Sequence, residues 1–367
     1  MGKSKRSMES MVMNSSFWNG KKVFVTGHTG FKGSWLCLWL KKSGADVVGY
    51  ALEPSTSPSL FHVADVEKGM NSIIGDIRDC EKLGRALSEA APDIVIHMAA
   101  QALVRYSYEQ PVETYEVNVM GTVNLLEAVR SCKSVRAVLV VTSDKCYENR
   151  EWVWGYRENE PMGGHDPYSS SKGCAELIVS AYRNSFFNQG SSFVSIASAR
   201  AGNVIGGGDW SEDRLIPDLV RAFSSNHSAR IRNPNAIRPW QHVLEALNGY
   251  LILIEKMHSK GEQFSEGWNF GPDDTDAKPV SWLADTLVSH WGTGQWSTET
   301  NLNAPHEAYT LRLDSSKAKS KLHWTPTLKL ELALKWIAEW YRCYYDGGNV
   351  KALSENQIEA FQNQVNS

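Results

Sequence analysis

The sequence predicts an α/β protein: a doubly wound parallel sheet with helices on both faces and a smaller, interleaved C-terminal lobe. Three observations predict it. Short apolar, β-branched runs alternate with helical patterns through the first half of the chain. A glycine-rich turn, Gly27-His28-Thr29-Gly30-Phe31-Lys32-Gly33, joins the first apolar run to the first helical one. After about residue 200 the texture changes to loop-rich stretches set around separate helices.

In chain order, the first strand is expected at 22–26, from the run Val23-Phe24-Val25-Thr26, and the first helix at 31–43, from the Trp-rich run between Ser34 and Leu40. Further strands are expected at 46–50, 72–75, 93–97, 136–142 and 193–199. The helices between them are expected at 81–90, 113–132 and 168–188. In the second of these, Val117, Met120, Val123, Leu126 and Val129 recur at helical spacing, and the third opens after Pro167. Right-handed crossovers then bring the functional loops to the carboxyl ends of the strands. The later stretches 200–214 and 225–240 read as loops around a helix at 215–223, with helices following at 241–257 and 328–345. The organisation expected is a leader without order over 1–17, a dinucleotide domain over 18–200, a substrate lobe over 201–350 with segments returning to the sheet, and a tail over 351–367.

Composition excludes several classes. A net charge of −3 with both signs interspersed leaves no electrostatic footprint for nucleic acid or an anionic membrane. No apolar stretch approaches the roughly 20 residues of a membrane span, and the first 14 residues lack the apolar core of a signal peptide. The six cysteines, Cys37, Cys80, Cys132, Cys146, Cys174 and Cys343, show no C-x-x-C pair and no zinc-ligand spacing, so they read as reduced thiols, no metal is expected, and the cytoplasm is the expected location.

The glycine turn carries the first functional signal. Glycines at this spacing let the backbone turn sharply, approach a pyrophosphate and pack the helix on the sheet, while free N–H groups at the helix start face the anion. Gly27, Thr29, Gly30, Phe31, Lys32 and Gly33 are therefore candidate cofactor residues of a Rossmann-like sheet. The G-x-x-G-x-x-G spacing resembles the extended short-chain dehydrogenase/reductase superfamily. Where an acid would receive the ribose of NAD, the sequence has Val48-Gly49-Tyr50, with Asp46 too early and Glu53 slightly late. Lys32 has the charge to accept a 2′-phosphate, but no Arg or Lys lies in 47–53 and Arg78 lies beyond the next strand, so NAD is favoured over NADP. Asp76 is either an acceptor for the adenine amine or the cap of the helix that includes Glu81.

Catalytic chemistry is expected at Tyr168 and Lys172, four apart in a helix and so on one face. A nearby ammonium is expected to lower the phenol's pKa so that Tyr168 accepts a sugar hydroxyl proton near neutrality. About 25 residues earlier the apolar strand ends in Thr142-Ser143-Asp144-Lys145, where Ser143 is the candidate partner of the reacting hydroxyl and Thr142, pointing to the opposite face, its rival.

Together with His97-Met98-Ala99-Ala100-Gln101, Asn118-Val119-Met120-Gly121-Thr122, the segment from Arg200 to Trp210 and Arg238-Pro239-Trp240-Gln241-His242-Val243, these motifs resemble the nucleotide-sugar 4,6-dehydratases, most closely their CDP-glucose branch, over roughly residues 18 to 345. The resemblance implies NAD held by the glycine loop, Asp76, Ile77, Ala99, Ala100, Gln101, Asn118, Tyr168 and Lys172. It implies C4 oxidation with Tyr168 as base, then loss of the C5 proton and the C6 hydroxyl as water, for a deoxysugar pathway such as that of a lipopolysaccharide O-antigen. Asp144 would be the acid for the C6 hydroxyl. Lys145 stands where related dTDP-glucose and GDP-mannose enzymes have an acid, as C5 base or as a clamp on the enolate. Arg105, Asn203, Arg214, Arg232, Arg238, His306 and Tyr309 would hold CDP-glucose, and the helices at 113–132 and 168–188 would form a homodimer or homotetramer. Two other readings stand beside it: a nucleotide-sugar 4-epimerase or reductase, which needs no acid at Asp144, and a non-catalytic dinucleotide sensor.

Overall fold

The structure, a computed structural model, describes residues 11–187, 194–298 and 310–366. Its first half contains α1 (Ser15–Trp18), β1 (Lys22–Thr26), α2 (Phe31–Lys42), β2 (Asp46–Ala51), α3 (Leu60–Val63), β3 (Asn71–Ile74), α4 (Cys80–Ala90), β4 (Ile94–His97), α5 (Val104–Glu109), α6 (Pro111–Tyr115), α7 (Gly121–Ser131), β5 (Ala137–Val141), α8 (Pro167–Tyr182) and β6 (Ser195–Arg200). The second half adds β7 (Val204–Ile205), α9 (Leu215–Ser224), β8 (Ser228–Ile231), β9 (Ile237–Pro239), β10 (Gln241–His242), α10 (Val243–Lys260), β11 (Gly267–Asn269), β12 (Ala277–Pro279), α11 (Val280–Trp291), β13 (Gln295–Thr298), α12 (Leu330–Tyr345) and α13 (Val350–Asn366).

Seven parallel strands make the main sheet in the order β11-β6-β5-β4-β1-β2-β3. The order reverses beside β1, which pairs with both β2 and β4, so the crevice at their carboxyl ends is the topological switch point. Side chains alternate between two cores. Val23, Val25, Ile94, Ile96 and Leu139 pack with α2, α10 and α12 on one face, whereas Phe24, Val95, Val138 and Val140 pack with α4, α7 and α8 on the other. α10 is buried almost all round, from Val243 to Glu255, because it lies between the sheet and the C-terminal helices. Three two-stranded pairings, β7 with β10, β9 with β12 and β8 with β13, build the smaller lobe.

Three expectations are corrected, and the segment expected to return from the lobe to the sheet is located. Residues 11–18 are not a loose leader: Met13 is buried, its N–H donates to Asn248 Oδ1 at 3.0 Å, and Trp18 Nε1 donates to Glu255 Oε1 at 2.8 Å. The tail beyond 350 is α13, which sets Phe361 edge-on to Trp39 at 5.7 Å between centroids. The helix expected at 113–132 is α6 and α7 joined by a π-helical turn, Glu116–Met120; that wider turn lets Asn118 reach Gln101 and Ser171. β11 supplies the last strand of the sheet from within the lobe, in three residues too few to show alternation.

Candidate active site

The glycine loop lies in the crevice at the switch point. Gly27 has φ +77°, and a Cβ there would come within 2.6 Å of the Ala99 backbone nitrogen; a Cβ on Gly33 would come within 2.1 Å of the Gly27 carbonyl. Gly30 meets only that carbonyl, at 3.4 Å, so its face stays clear at the N-terminus of α2. These are the features that a pyrophosphate needs, and the residues present fit a dinucleotide. Thr29 fastens the loop by donating to the Leu52 carbonyl at 2.8 Å. At the end of β4, the N–H groups of Met98 and Ala99 donate to Thr26 Oγ1, leaving Ala99 and Ala100 along the crevice wall.

Several expected cofactor residues are engaged with protein. Asn118 accepts from the Gln101 N–H at 2.9 Å and donates to the Gln101 carbonyl and Ser171 Oγ, so its amide knots β4 to α8. Gln101 donates in turn to the Leu103 carbonyl and Thr114 Oγ1. Asp76 does not cap α4, which Asp79 caps through the Lys82 N–H; instead it receives the backbone and guanidinium of Arg78. The Arg78 side chain also faces Glu113 and Glu116, at 3.8 and 3.4 Å, so its charge is offset by three carboxylates. Ile77 is buried, with its Cγ2 beside Gly121. Lys32 turns toward α10: half-buried, it donates to Tyr250 OH at 3.2 Å. Burial, with the Lys172 and Arg214 charges adding and Asp144 opposing, draws its amine down to about 7.

The catalytic candidates meet where β5 ends against the start of α8. Asp166 caps α8 by accepting from the Ser169 N–H, and Pro167 occupies the first turn, so the helix begins one residue before Tyr168. Ser143 donates to Asp144 Oδ1 at 3.0 Å, and its hydroxyl faces Tyr168 closely enough to oppose the effect of burial on the phenol. Thr142, its rival, points the other way and donates to Glu176 Oε1 at 2.5 Å. Tyr168 and Lys172 share one helix face, with the amine 6.0 Å from the ring centroid. The expected lowering of the phenol does not appear: burial pushes Tyr168 up to about 12 against the Ser143 hydroxyl, and burial draws Lys172 down to about 8. Asp144 is buried, and Gly202 makes room for it, since a Cβ there would lie 1.8 Å from Asp144 Oδ2. Lys145 follows, half-buried, in the short turn Asp144–Cys146.

This chain matches the family model for GDP-mannose 4,6-dehydratase over residues 24–336. The chain belongs to that family. It is 56% identical to the CDP-glucose 4,6-dehydratase of Salmonella typhimurium over 95% of this chain and 98% of that one. It is 27% identical to the dTDP-D-glucose 4,6-dehydratase of Mus musculus over 88% and 89%. Among solved structures, DesIV, the dTDP-glucose 4,6-dehydratase of Streptomyces venezuelae with NAD and TYD bound, superimposes with a TM-score of 0.76 at 21% identity, over 90% of this chain and 99% of that one.

On this dehydratase fold the smaller lobe brings three of the expected arginines together. Arg214 is paired with buried Asp209 at 2.9 Å and lies near Tyr168, while Arg105 of α5 and Arg232 both reach Asp213, at 3.2 and 3.3 Å. Arg238 stands apart on β9 and donates to the Ile237 carbonyl. Asn203 adopts a left-handed φ of +49°, and its carbonyl receives the Gln241 N–H. His306 and Tyr309 lie outside the described residues. Sequence reasoning missed Tyr250, which faces Asp144 and Tyr168 from the middle of a buried helix, where nothing in the pattern marks it as other than core. His28 was missed likewise. It fills the space over Gly49 and pairs with Ser72, and burial draws its imidazole down to about 4.

Proposed function

We propose that the protein is an NAD-dependent CDP-glucose 4,6-dehydratase, a hydro-lyase forming CDP-4-dehydro-6-deoxy-D-glucose and water from CDP-D-glucose. The observation that carries this reading is the 56% identity to the Salmonella typhimurium enzyme across nearly the whole of both chains. When bound, NAD supplies the acceptor for the C4 hydride, its donor to C6, and a positive charge that opposes the effect of burial on Tyr168. Tyr168 takes the C4 hydroxyl proton while Ser143 hydrogen-bonds the same oxygen, and Lys172 holds the cofactor ribose. The resulting ketone acidifies the C5 proton. Asp144 gives a proton to the departing C6 hydroxyl, and Lys145 serves at C5 as base or as a cation beside the enolate. Arg105, Arg214, Arg232 and Arg238, with Asn203, His306 and Tyr309, hold the nucleotide diphosphate.

NAD as the cofactor is supported by the glycine cradle and by the engagement of Arg78, a cation just beyond β3, with Asp76, Glu113 and Glu116. A homodimer or homotetramer is supported by Val112, Tyr115, Met120 and Leu177, large apolar side chains exposed on α6, the π-helical turn after it and α8. No described helix is long and apolar enough to cross a membrane, and no described His, Cys, Asp or Glu cluster could hold a metal. All six thiols are unpaired, which fits a cytoplasmic setting. The test is incubation with CDP-, dTDP-, UDP- and GDP-glucose in the presence of NAD, followed by product analysis. A 4-keto-6-deoxy product from CDP-glucose supports the reading; a C4 epimer or no turnover of any of the four overturns it.

A further inference from the structure

Behind the catalytic cluster lies a buried ion pair that the reaction as described does not use. Glu176 is one turn beyond Lys172 and two beyond Tyr168 on α8, hence on the same face. Its Oε1 accepts from Thr142 at 2.5 Å, and its Oε2 accepts from Ser198 at 2.6 Å and Arg200 at 2.7 Å. Glu176, Ser198 and Arg200 are each at most 5% exposed. Arg200 is itself fixed, donating to Tyr147 OH and the Glu158 carbonyl, and Gly267 leaves it room, because a Cβ there would lie 2.4 Å from the guanidinium. The carboxylate therefore joins the ends of β5 and β6 to the helix that bears Tyr168 and Lys172. One residue after its Thr142 anchor comes Ser143.

We propose that Glu176 is a positioning residue of the reaction, which holds Ser143 and Asp144 in register with Tyr168 and keeps the Lys172 amine cationic. This rests on the dehydratase reading. The groups that face Lys172 are Glu176 and Tyr168 from α8, Cys146 from the turn after β5, Lys32 from the start of α2 and His97 from β4. Burial holds His97 near 3 and raises the Cys146 thiol well above its ordinary value, so both are neutral, and the Lys32 amine, drawn down to about 7, has given up most of its charge where Lys172 titrates. Glu176 is the first influence opposing the burial of Lys172. Burial pushes its own carboxyl up, but Arg200, Ser198 and Thr142 together hold it below its ordinary value, so it remains charged across the working range.

Replacing Glu176 by Gln keeps the shape of the side chain and its contact with Arg200 but removes the charge. The Lys172 amine, which gives up its proton near 8 with the carboxylate present, should then give it up about one pH unit lower. Two readouts test this. The first is the alkaline limb of kcat/KM for dehydration, expected to move down by about one pH unit with KM for the nucleotide sugar changed less than about threefold. The second is titration of the Lys172 amine by lysine-side-chain NMR in the protein without substrate, assigned by its loss in Lys172→Arg; it reads Glu176 even if CDP-glucose is not turned over. A Lys172 titration that does not move in Glu176→Gln overturns the proposal, whatever the loss of rate. If that variant fails to fold, Thr142→Val is read the same way: a smaller downward shift, restored in Thr142→Ser, supports the proposal, and no shift overturns it.

Discussion

At single residues, the site turns on what each side chain has beside it. Tyr168→Phe removes the group proposed to take the C4 proton but leaves the arginines, so turnover should fall by about 10²–10⁴ while CDP-glucose affinity changes little. Wild-type turnover in that variant would take Tyr168 out of the reaction. Asp144→Asn should still allow C4 oxidation and stall before water leaves, seen as lasting absorbance of reduced nicotinamide without product; an unchanged dehydration rate would exclude Asp144 as the acid. Gly202→Ala attacks the same step from the other side. Its methyl would occupy the space of the Asp144 carboxylate, so dehydration should slow by at least about tenfold in a protein that still folds, as read by circular dichroism. Much of this was legible in the sequence, because Tyr168, Lys172 and Ser143 sit in motifs whose spacing reports helix and strand geometry. Neither the ion pair of Glu176 with Arg200 nor the approach of Tyr250 was legible, since each joins side chains far apart in the chain. The expected lowering of the phenol failed for a related reason: the pattern reveals a neighbouring amine, but burial, which here prevails, is a property of the folded chain.

Among the elements, the beginning of α10 carries a testable strain of charge. Glu245 accepts the N–H groups of Thr327 and Leu328 through Oε1, tying the segment before α12 to the first turn of α10, while Oε2 is buried without a partner. Burial, opposed by those N–H groups, pushes its carboxyl up to about 7 from an ordinary value near 4.5. A group whose folded pKa is raised contributes its full stability below the unfolded value and loses it as the pH climbs through the folded one. Between pH 4.5 and 7 the protein should thus lose about 2–3 kcal/mol from this site. Glu245→Gln cannot ionise, so its stability relative to wild type should improve by an amount of that order from pH 5 to pH 8.5 in urea unfolding. A difference independent of pH would mean that Glu245 is not titrating. The strands and helices of the main sheet were readable from alternating apolar runs, whereas α13 and β11 were not: the helix is mostly polar on its outer side, and the strand has three residues.

Over the whole molecule, cofactor binding and stability are linked, because a ligand that binds only the folded chain raises its melting temperature with concentration. NAD should raise the Tm of the apo-protein by several degrees at about 100 times its Kd, and NADP at the same concentration by less, since Arg78 is already held by three carboxylates. Equal shifts would show that a 2′-phosphate finds a partner after all. The dinucleotide crevice is legible in the glycine turn, whose spacing and flanking runs define strand, turn and helix together. The interleaving of the two halves is only partly so, because the lobe's return to the sheet depends on β11.

The docking of residues 11–18 has a consequence for the order in which the molecule is made. Met13 and Trp18 find their partners at Asn248 and Glu255, and Gln362 reaches back to Ser15 and Met13. On a ribosome, which releases the chain from its N-terminus, this segment emerges more than 200 residues ahead of its partners on α10 and α13. Its contacts with those helices must wait about 10–50 s at ordinary elongation rates. The sheet from β1 to β6 can assemble meanwhile, but the segment that precedes it in the sequence is among the later parts to be seated. A nascent chain arrested before Asn248 should therefore leave residues 11–18 open to proteolysis, and one released after Gln362 should protect them.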